Sequence, residues 1–196
     1  MTSLNIQTTR LVSRRSWLAL PVALVAGHLW AGDLMADDQK PVQDYSWTYL
    51  ADTVMGGVSE GQAGLQNRNG STVLQLTGTV STENRGGFIQ VRTALPDGLP
   101  PTAIGIRLRV RGNGQQYFVH LRTTSTRLPW QYYQAPFDTS ANWQIVDIPL
   151  DRFKASGSIL PDQVKPEAIR SLGIVAYGRD HLADVSVQSI GTYAAQ

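Results

Sequence analysis

Cysteine is absent from this sequence of 196 residues, and histidine and glutamate occur three times each. Without cysteine the chain can form no disulfide, no thiolate metal site and no thiol nucleophile. Only His120 and His181 lie outside the N-terminal segment, too few for a tetrahedral zinc site. We therefore expect no metal and no cofactor, while a calcium ion held by backbone carbonyls and one or two aspartates stays open.

Charged residues are also scarce, at 16% of the chain against about 25% in typical proteins. The net charge of +2 comes from the first 36 residues, which hold Arg10, Arg14, Arg15 and Asp33. The other 160 residues balance 14 basic against 14 acidic side chains. A neutral domain is not expected to bind nucleic acid, which needs an excess of basic groups. The length fits one domain with a real core.

The first 36 residues have the layout of a secretory signal. Arg14 and Arg15 precede an apolar stretch over residues 17–31, and small residues lead to Ala36. The paired arginines resemble the twin-arginine export signal. The apolar stretch is shorter than the ~20 residues of a spanning helix. We expect a signal peptide over 1–36, an exported (periplasmic or secreted) domain over 37–196, and no membrane span after cleavage. Leu34 is a poor cleavage-site residue, so an uncleaved anchor stays open.

From Tyr45 onward, apolar residues recur with a period of two between glycine, proline and asparagine turns. This pattern predicts an all-β fold, an antiparallel sandwich or barrel, with one short helix over residues 164–171. The turn at residues 112–114 predicts a hairpin between two of the strands. The predicted strands are 72–77, 87–92, 103–111, 116–122, 130–137, 143–150, 172–177 and 185–190.

Three arginines alternate with apolar residues along strand 103–111. Alternation places Ile104, Ile106, Leu108 and Val110 on one face and Arg107, Arg109 and Arg111 on the other. The arginines could form a phosphate-binding stripe. A solvated outer face is favoured, because the domain is neutral and no aromatic residues interleave the arginines in the sequence.

Catalytic motifs are weak. Residues 57–61 match G-x-S-x-G around Ser59, but the turn-rich segment that follows predicts no packed helix, which a nucleophile elbow requires. The three glutamates, Glu60, Glu83 and Glu167, show no spacing typical of a glycosidase pair. We therefore expect a protein that is not an enzyme, with a sugar-active hydrolase as the remaining catalytic alternative.

The candidate ligand-binding residues lie in glycine-bearing loops and on strand faces that combine arginine with aromatic side chains. Arg92 shares a face with Phe88 and Gln90, and Arg122 shares one with Phe118 and His120. Arginine and aromatic rings together suit a binding groove. As an equal alternative, Arg92 and Arg122 pair with Asp52 or Glu83 inside the sandwich and fix loop geometry. The candidate residues are Asp52, Asn84, Arg92, Arg122 and Tyr133.

Residues 52–59 and 78–92 resemble the hallmark blocks of the CIA30 family, named for the complex I intermediate-associated protein of 30 kDa. Later blocks follow in the family's order, so the resemblance spans residues 45–193. It implies a galactose-binding-domain-like jelly roll. Two departures occur: residues 154–158 replace an arginine-glycine-rich stretch, and residues 179–184 replace the usual Gly-x-Phe.

The resemblance also implies a role in assembly, since the family's best-known members are mitochondrial assembly factors for respiratory complex I. An exported chain would not meet the matrix arm of that complex, so this specific role is not carried across. The sequence therefore predicts a non-catalytic binding module whose partner is a protein or a carbohydrate-like ligand. The alternative is an assembly or chaperone factor for a membrane-associated complex.

Overall fold

The computed structural model describes residues 39–68 and 70–195, so the predicted signal segment lies outside the described residues. The described part is built from twelve β-strands and five 3-10 turns of three or four residues. Among these residues no helix has the length and hydrophobicity needed to cross a bilayer. The strands are β1 (Lys40–Pro41), β2 (Trp47–Ala51), β3 (Glu60–Arg68), β4 (Ser71–Val80), β5 (Phe88–Ala94), β6 (Ala103–Gly112), β7 (Gln116–Thr123), β8 (Tyr133–Asp138), β9 (Gln144–Pro149), β10 (Lys154–Ala155), β11 (Ile169–Tyr177) and β12 (His181–Ala194).

The strands form two six-stranded sheets, and every strand pairing is antiparallel. Sheet one has the order β3-β4-β12-β6-β9, with β1 added beside β12. Sheet two has the order β10-β8-β7-β11-β5-β2. The prediction of an antiparallel jelly-roll β-sandwich is confirmed.

The core lies between the two sheets and follows the alternation expected of strands that are buried on one side. Tyr117, Val119 and Leu121 of β7 are each fully buried, as the sequence predicts. Leu108 and Val110 of β6 lie in the same cluster. Burying side chains of this size contributes about 1.5–3 kcal/mol each, so the inward faces fix the register of the sheets.

Ile104 breaks the predicted pattern, because it is 45% exposed while Ala103 before it is buried. In the pairing with β12, Gly105 lies opposite Tyr193 and Ala103 lies opposite Ala194, so Ile104 is an extra residue. This β-bulge turns the Ile104 side chain outward. Its prediction as a core residue is wrong.

The predicted hairpin over residues 112–114 is also wrong. β6 ends in sheet one and β7 begins in sheet two, so the turn carries the chain from one sheet to the other. Asn113 fixes this crossing: its side chain donates to the Leu182 carbonyl over 2.8 Å and accepts from the Tyr117 hydroxyl over 2.7 Å. Turn residues alone do not show which strand a new strand will pair with.

The predicted helix over residues 164–171 is reduced to a single 3-10 turn, Pro166–Ala168. Pro166 occupies the first position of that turn, where its missing N–H costs nothing. Ile169 is fully buried and already begins β11. Pairing of this segment with β7 and β5 overrides its local preference for a helix.

Candidate functional site

A row of residues crosses the outer face of sheet two, the face turned away from the core. Gly173 of β11 lies opposite His120 of β7 on one side and opposite Arg92 of β5 on the other. The row continues to Gln134 of β8 and to Thr48 of β2. Because residues at the same register point to the same side of a sheet, this row is the centre of the candidate site.

The floor of this face is β11. Val175 points outward beside Phe118 and Gln90, yet it is fully buried and does not belong to the core cluster. Gly173 is buried as well, and a Cβ built on it would lie 3.2 Å from the side-chain oxygen of Gln90. The neighbouring side chains therefore rise above β11 and enclose it.

Planar rings gather on one side of this floor. The His120 and Tyr132 rings are stacked with centroids 4.1 Å apart and an interplanar angle of 10°. Tyr177 meets His120 edge-on at 5.8 Å and Phe118 edge-on at 5.9 Å. All four rings are half-buried. We call Phe118, His120, Tyr132 and Tyr177 the ring cluster.

Burial controls ionisation in the ring cluster. Desolvation lowers the pKa of His120 to about 4, although its neighbour Gln134 opposes the shift. Desolvation also raises the pKa of Tyr132, and the hydroxyl of Tyr177 adds to the effect. At neutral pH the cluster is therefore uncharged, and its rings present apolar faces with polar edges.

Arg92 lies on the other side of the floor and is half-buried. No hydrogen bond or ion pair of its guanidinium occurs among residues 39–68 and 70–195, so its five donors face outward unused. The alternative expectation, that Arg92 pairs internally with Asp52 or Glu83, is not met. Its role as a ligand-binding residue stays a prediction, and the surroundings are compatible with it.

Arg122 shares this face, but its guanidinium is already engaged. It donates to the carbonyl oxygens of Pro129 at 2.8 Å, Leu128 at 3.0 Å and Thr126 at 3.2 Å. Burial and the nearby charge of Arg92 lower its pKa. Arg122 therefore holds the loop between β7 and β8, and that loop leads directly into Tyr132.

Tyr133 does not face the site. It is 1% exposed, lies in the core and donates its hydroxyl to the Pro161 carbonyl over 2.9 Å. Burial raises its pKa, with the charge of Asp162 adding to the effect. Tyr132, one residue earlier, points to the opposite side and carries the ring of the site, so the candidate residue is corrected from Tyr133 to Tyr132.

Asp52 is also inside the protein, with no exposed surface. Its carboxylate accepts from the hydroxyl and main-chain N–H of Ser59 and from the main-chain N–H groups of Gly87 and Phe88. Burial raises its pKa, but these hydrogen bonds outweigh burial and lower it. A Cβ at Gly57 or Gly86 would overlap the carboxylate. Asp52 therefore joins the two glycine-bearing loops, as the loop-fixing alternative proposed, although its partners are not arginines.

Asn84 lies in an exposed 3-10 turn, Glu83–Arg85, ahead of β5. Asn84 and Arg85 both have left-handed backbone angles, with φ of 55° and 61°. Arg92 lies four residues into β5, about 13 Å from the start of that strand at ~3.3 Å per residue. The structure thus does not bring Asn84 into the row that contains Arg92.

The G-x-S-x-G motif is not a nucleophile elbow in this structure. Ser59 is 1% exposed, and its hydroxyl is occupied by Asp52 and by the main chain of Ser81. A strand, β3, follows it where the elbow needs a helix. Within the described residues, no three His, Cys, Asp or Glu side chains are grouped so that they could hold a metal ion.

Two residues of the ring cluster could not be found from the sequence. Alternation along β7 does place Phe118 and His120 together, outside the core. Tyr177 joins them because β11 lies next to β7, and Tyr132 joins them because it immediately precedes β8, the other neighbour of β7. The signal available in the sequence was the two-residue period through Tyr132, Gln134 and Pro136, opposite to Tyr133, Ala135 and Phe137.

Comparisons with known proteins agree with this architecture. Residues 36–185 match the family model described as Complex I intermediate-associated protein 30, CIA30. No curated protein sequence matches the chain.

Solved structures with a similar fold include carbohydrate-binding modules. One is the family 11 module of a cellulosomal cellulase of Clostridium thermocellum, with a TM-score of 0.63 and 15% identity over 82% of this chain and 94% of that one. The same module in complex with a β-1,3-1,4-mixed-linked tetrasaccharide has a TM-score of 0.60 and 15% identity, over 82% and 95% of the two chains. A family 30 carbohydrate-binding module has a TM-score of 0.54 and 13% identity, over 83% and 88%.

Proposed function

Because the chain belongs to the CIA30 family and carries a ring cluster beside an unengaged arginine, we propose that it is a non-catalytic module that binds a carbohydrate-like ligand. The ligand lies on the outer face of sheet two. The observation that carries the proposal is the stacked pair of His120 and Tyr132 facing Arg92 across the floor formed by Gly173.

The chemistry of this face suits a sugar. Aromatic rings offer flat apolar surface for the C–H faces of a pyranose, and their polar edges remain available to water and hydroxyl groups. Arg92 supplies fixed, planar donors for hydroxyl oxygens. Structures of the same fold that are carbohydrate-binding modules, one of them holding a mixed-linked tetrasaccharide, support this assignment.

Calorimetry with the β-1,3-1,4-mixed-linked tetrasaccharide and a panel of other oligosaccharides tests the proposal. We expect binding by the wild type and at least a tenfold loss of affinity in Arg92→Gln and in Tyr132→Ala. Arg92→Gln removes no hydrogen bond or ion pair made with the described residues, so it should retain a melting temperature close to that of the wild type. The matched controls are Arg152→Gln, on an exposed turn, and Tyr193→Ala, on sheet one. Unchanged affinity in both site variants, or no binding across the panel, contradicts the proposal.

A protein partner is the second candidate, and one surface favours it. Val54 and Met55 are 70% and 65% exposed in the 3-10 turn that begins with the buried Asp52. Two apolar side chains held out by an anchored loop suit contact with another protein. In this version of the function the protein is an assembly or chaperone factor for a membrane-associated complex.

A photo-crosslinking residue at Met55, used in intact cells, tests this second candidate. A reproducible protein adduct, absent when the crosslinker stands at the exposed Ile159 instead, supports an assembly role. Labelling that is the same at both positions argues against it. Export forms part of the proposal as well, and N-terminal sequencing of the mature chain should find a start near residue 37.

A further inference from the structure

Three arginines line a cavity on the outer face of sheet one, on the opposite side of the sandwich from the ring cluster. Arg68 comes from β3, and Arg109 and Arg111 come from β6. The cavity has a volume of about 200 Å³, well above the ~10–15 Å³ that one water molecule needs. Its other lining residues are Ser71, Val73, Trp143 and Gln188.

Among the described residues that line this cavity there is no carboxylate. Arg68 donates to the side-chain oxygen of Gln75 over 3.1 Å, and Arg111 lies over the ring of Trp143 at 5.0 Å. For Arg109, no hydrogen bond or ion pair occurs in the described part of the chain. Three positive charges therefore line the cavity, and no salt bridge of Arg68, Arg109 or Arg111 occurs among the described residues.

The third arginine of β6, Arg107, differs from Arg109 and Arg111 because it has a carboxylate partner. Arg107 lies outside the cavity and forms a two-pronged pair with Asp147, with contacts of 2.6 and 2.7 Å. For Arg109 and Arg111 no such carboxylate partner occurs in the described part of the chain. No aromatic residue interleaves the arginines in the sequence, but the fold brings Tyr193 beside Arg107 and Trp143 beside Arg111.

The strand β12 lies between β4 and β6, so it separates Arg68 from Arg109 and Arg111. The pairing with β6 skips from Val187 to Ser189, so Gln188 is the extra residue of a β-bulge and lies in the cavity. Bulges re-aim a side chain next to a site. Val73 is 1% exposed but does not belong to the core cluster, so the outer side chains cover it as the floor.

We propose that this cavity binds a tetrahedral oxyanion, a phosphate or sulfate group, through Arg68, Arg109 and Arg111. Guanidinium groups match such oxygens with paired N–H donors, and the Ser71 hydroxyl and Gln188 amide supply neutral donors. An anion here relieves the mutual repulsion of the three charges. The group is either a free anion or an ester carried by a larger molecule.

The test measures binding of sodium phosphate, sodium sulfate and glucose 6-phosphate by calorimetry, at constant ionic strength set with sodium chloride. We expect wild-type binding of at least one probe and at least a tenfold loss in Arg109→Gln/Arg111→Gln. The control Arg152→Gln/Lys165→Gln removes two charges from exposed positions elsewhere and should bind as the wild type does.

Tighter binding of the inorganic anions identifies a free anion, and tighter binding of glucose 6-phosphate identifies an ester; both support the site. The proposal is overturned when no probe binds above the chloride background, or when the two double variants lose affinity equally. A folding defect is recognised from the melting temperature, and Arg109→Lys, which keeps the charge but loses the paired donors, then gives an independent measurement with an expected intermediate affinity.

Discussion

The imidazole of His120 lies parallel to the ring of Tyr132, within 10° and 4.1 Å between centroids. Loss of water around the imidazole disfavours its protonated form. Burial lowers the pKa of His120 to about 4, against ~6.5 for an exposed histidine. The stack therefore couples the binding face to pH.

The first prediction concerns this coupling. Below pH ~6.5 the unfolded chain takes up a proton at His120 and the folded chain does not until about pH 4, so stability falls as the pH falls through that window. Between pH 7 and 4.5 the loss assigned to His120 is about 2 kcal/mol. Urea denaturation should show a smaller loss in His120→Phe, which keeps a ring against Tyr132. If the free energy of unfolding changed with pH by the same amount in the wild type and in His120→Phe, the lowered pKa of His120 would be contradicted.

The second prediction concerns Asp52. Replacing it by asparagine turns an amide N–H₂ toward buried N–H donors, and we expect a loss of ~2–4 kcal/mol at pH 7. Because its folded pKa is lowered, its contribution is complete above the unfolded pKa of ~3.9 and is lost as the pH falls through the folded value. The wild type should thus approach the variant in stability as the pH falls below the unfolded pKa and through the lower folded pKa.

Asp180→Asn is the control for Asp52→Asn. Asp180 also accepts hydrogen bonds from the main chain and side chain of a loop residue, Thr82, but it is exposed. Water replaces those bonds when the charge is lost, so the effect should be clearly smaller. Equal losses of stability in the two variants would mean that burial does not increase the contribution of the hydrogen bonds to Asp52.

The third prediction concerns Arg122. A lysine at this position cannot reach three carbonyl oxygens, and each charged hydrogen bond contributes ~1.5 kcal/mol or more. We expect amide hydrogen exchange over residues 124–132 to become about tenfold faster or more in Arg122→Lys, together with weaker glycan binding. Arg92→Lys should weaken binding and leave exchange in the loop unchanged. Fast exchange in both variants would contradict separate roles for the two arginines.

The fourth prediction concerns the close contact of β3 with β4. Gly61 and Gly78 lie opposite each other, and a Cβ on Gly78 would overlap the main chain of Glu60. Backbone cannot move aside as a side chain can, so Gly78→Ala should cost ~2 kcal/mol or more. Gly64→Ala, on the same pair of strands with nothing within 4 Å of its Cβ, should change the melting temperature little. Similar melting temperatures for Gly78→Ala and Gly64→Ala would show that the strands relieve the overlap without a loss of stability.

Alternation along single strands could be predicted from the sequence, and what depends on several strands could not. The buried side of β7 follows from Tyr117, Val119 and Leu121, since one face of each strand meets the core. The neighbours of β7 do not follow, because the turn at Asn113 looks like a hairpin and instead changes sheets. The ring cluster depends on those neighbours, so it could not be assembled in advance.

The candidate site residues also show that features set by a single strand could be predicted, whereas features set by several strands could not. The choice between Tyr132 and Tyr133 is a one-residue difference that reverses the direction of the side chain, and the sequence pattern does not locate the start of β8 at Tyr133 to within one residue. The loop-fixing role of Asp52 was proposed with arginine partners, whereas its actual partners are the Ser59 hydroxyl and three main-chain N–H groups, and main-chain groups carry no sequence signal. The face that Arg92 shares with Phe88 and Gln90 follows from alternation along β5 alone, whereas the choice between a binding role and an internal ion pair was left open by the sequence.

The position of β12 in sheet one has a consequence for the folding rate. β12 lies between β4 and β6, and its residue His181 pairs with Val80, about a hundred positions earlier. Contacts this distant in sequence make folding slow. Before β12 docks, the β3-β4 and β6-β9 pairs each expose an open edge at which a second chain can add. The period before β12 docks is therefore when the protein is most exposed to aggregation, and refolding yield should fall steeply as its concentration rises.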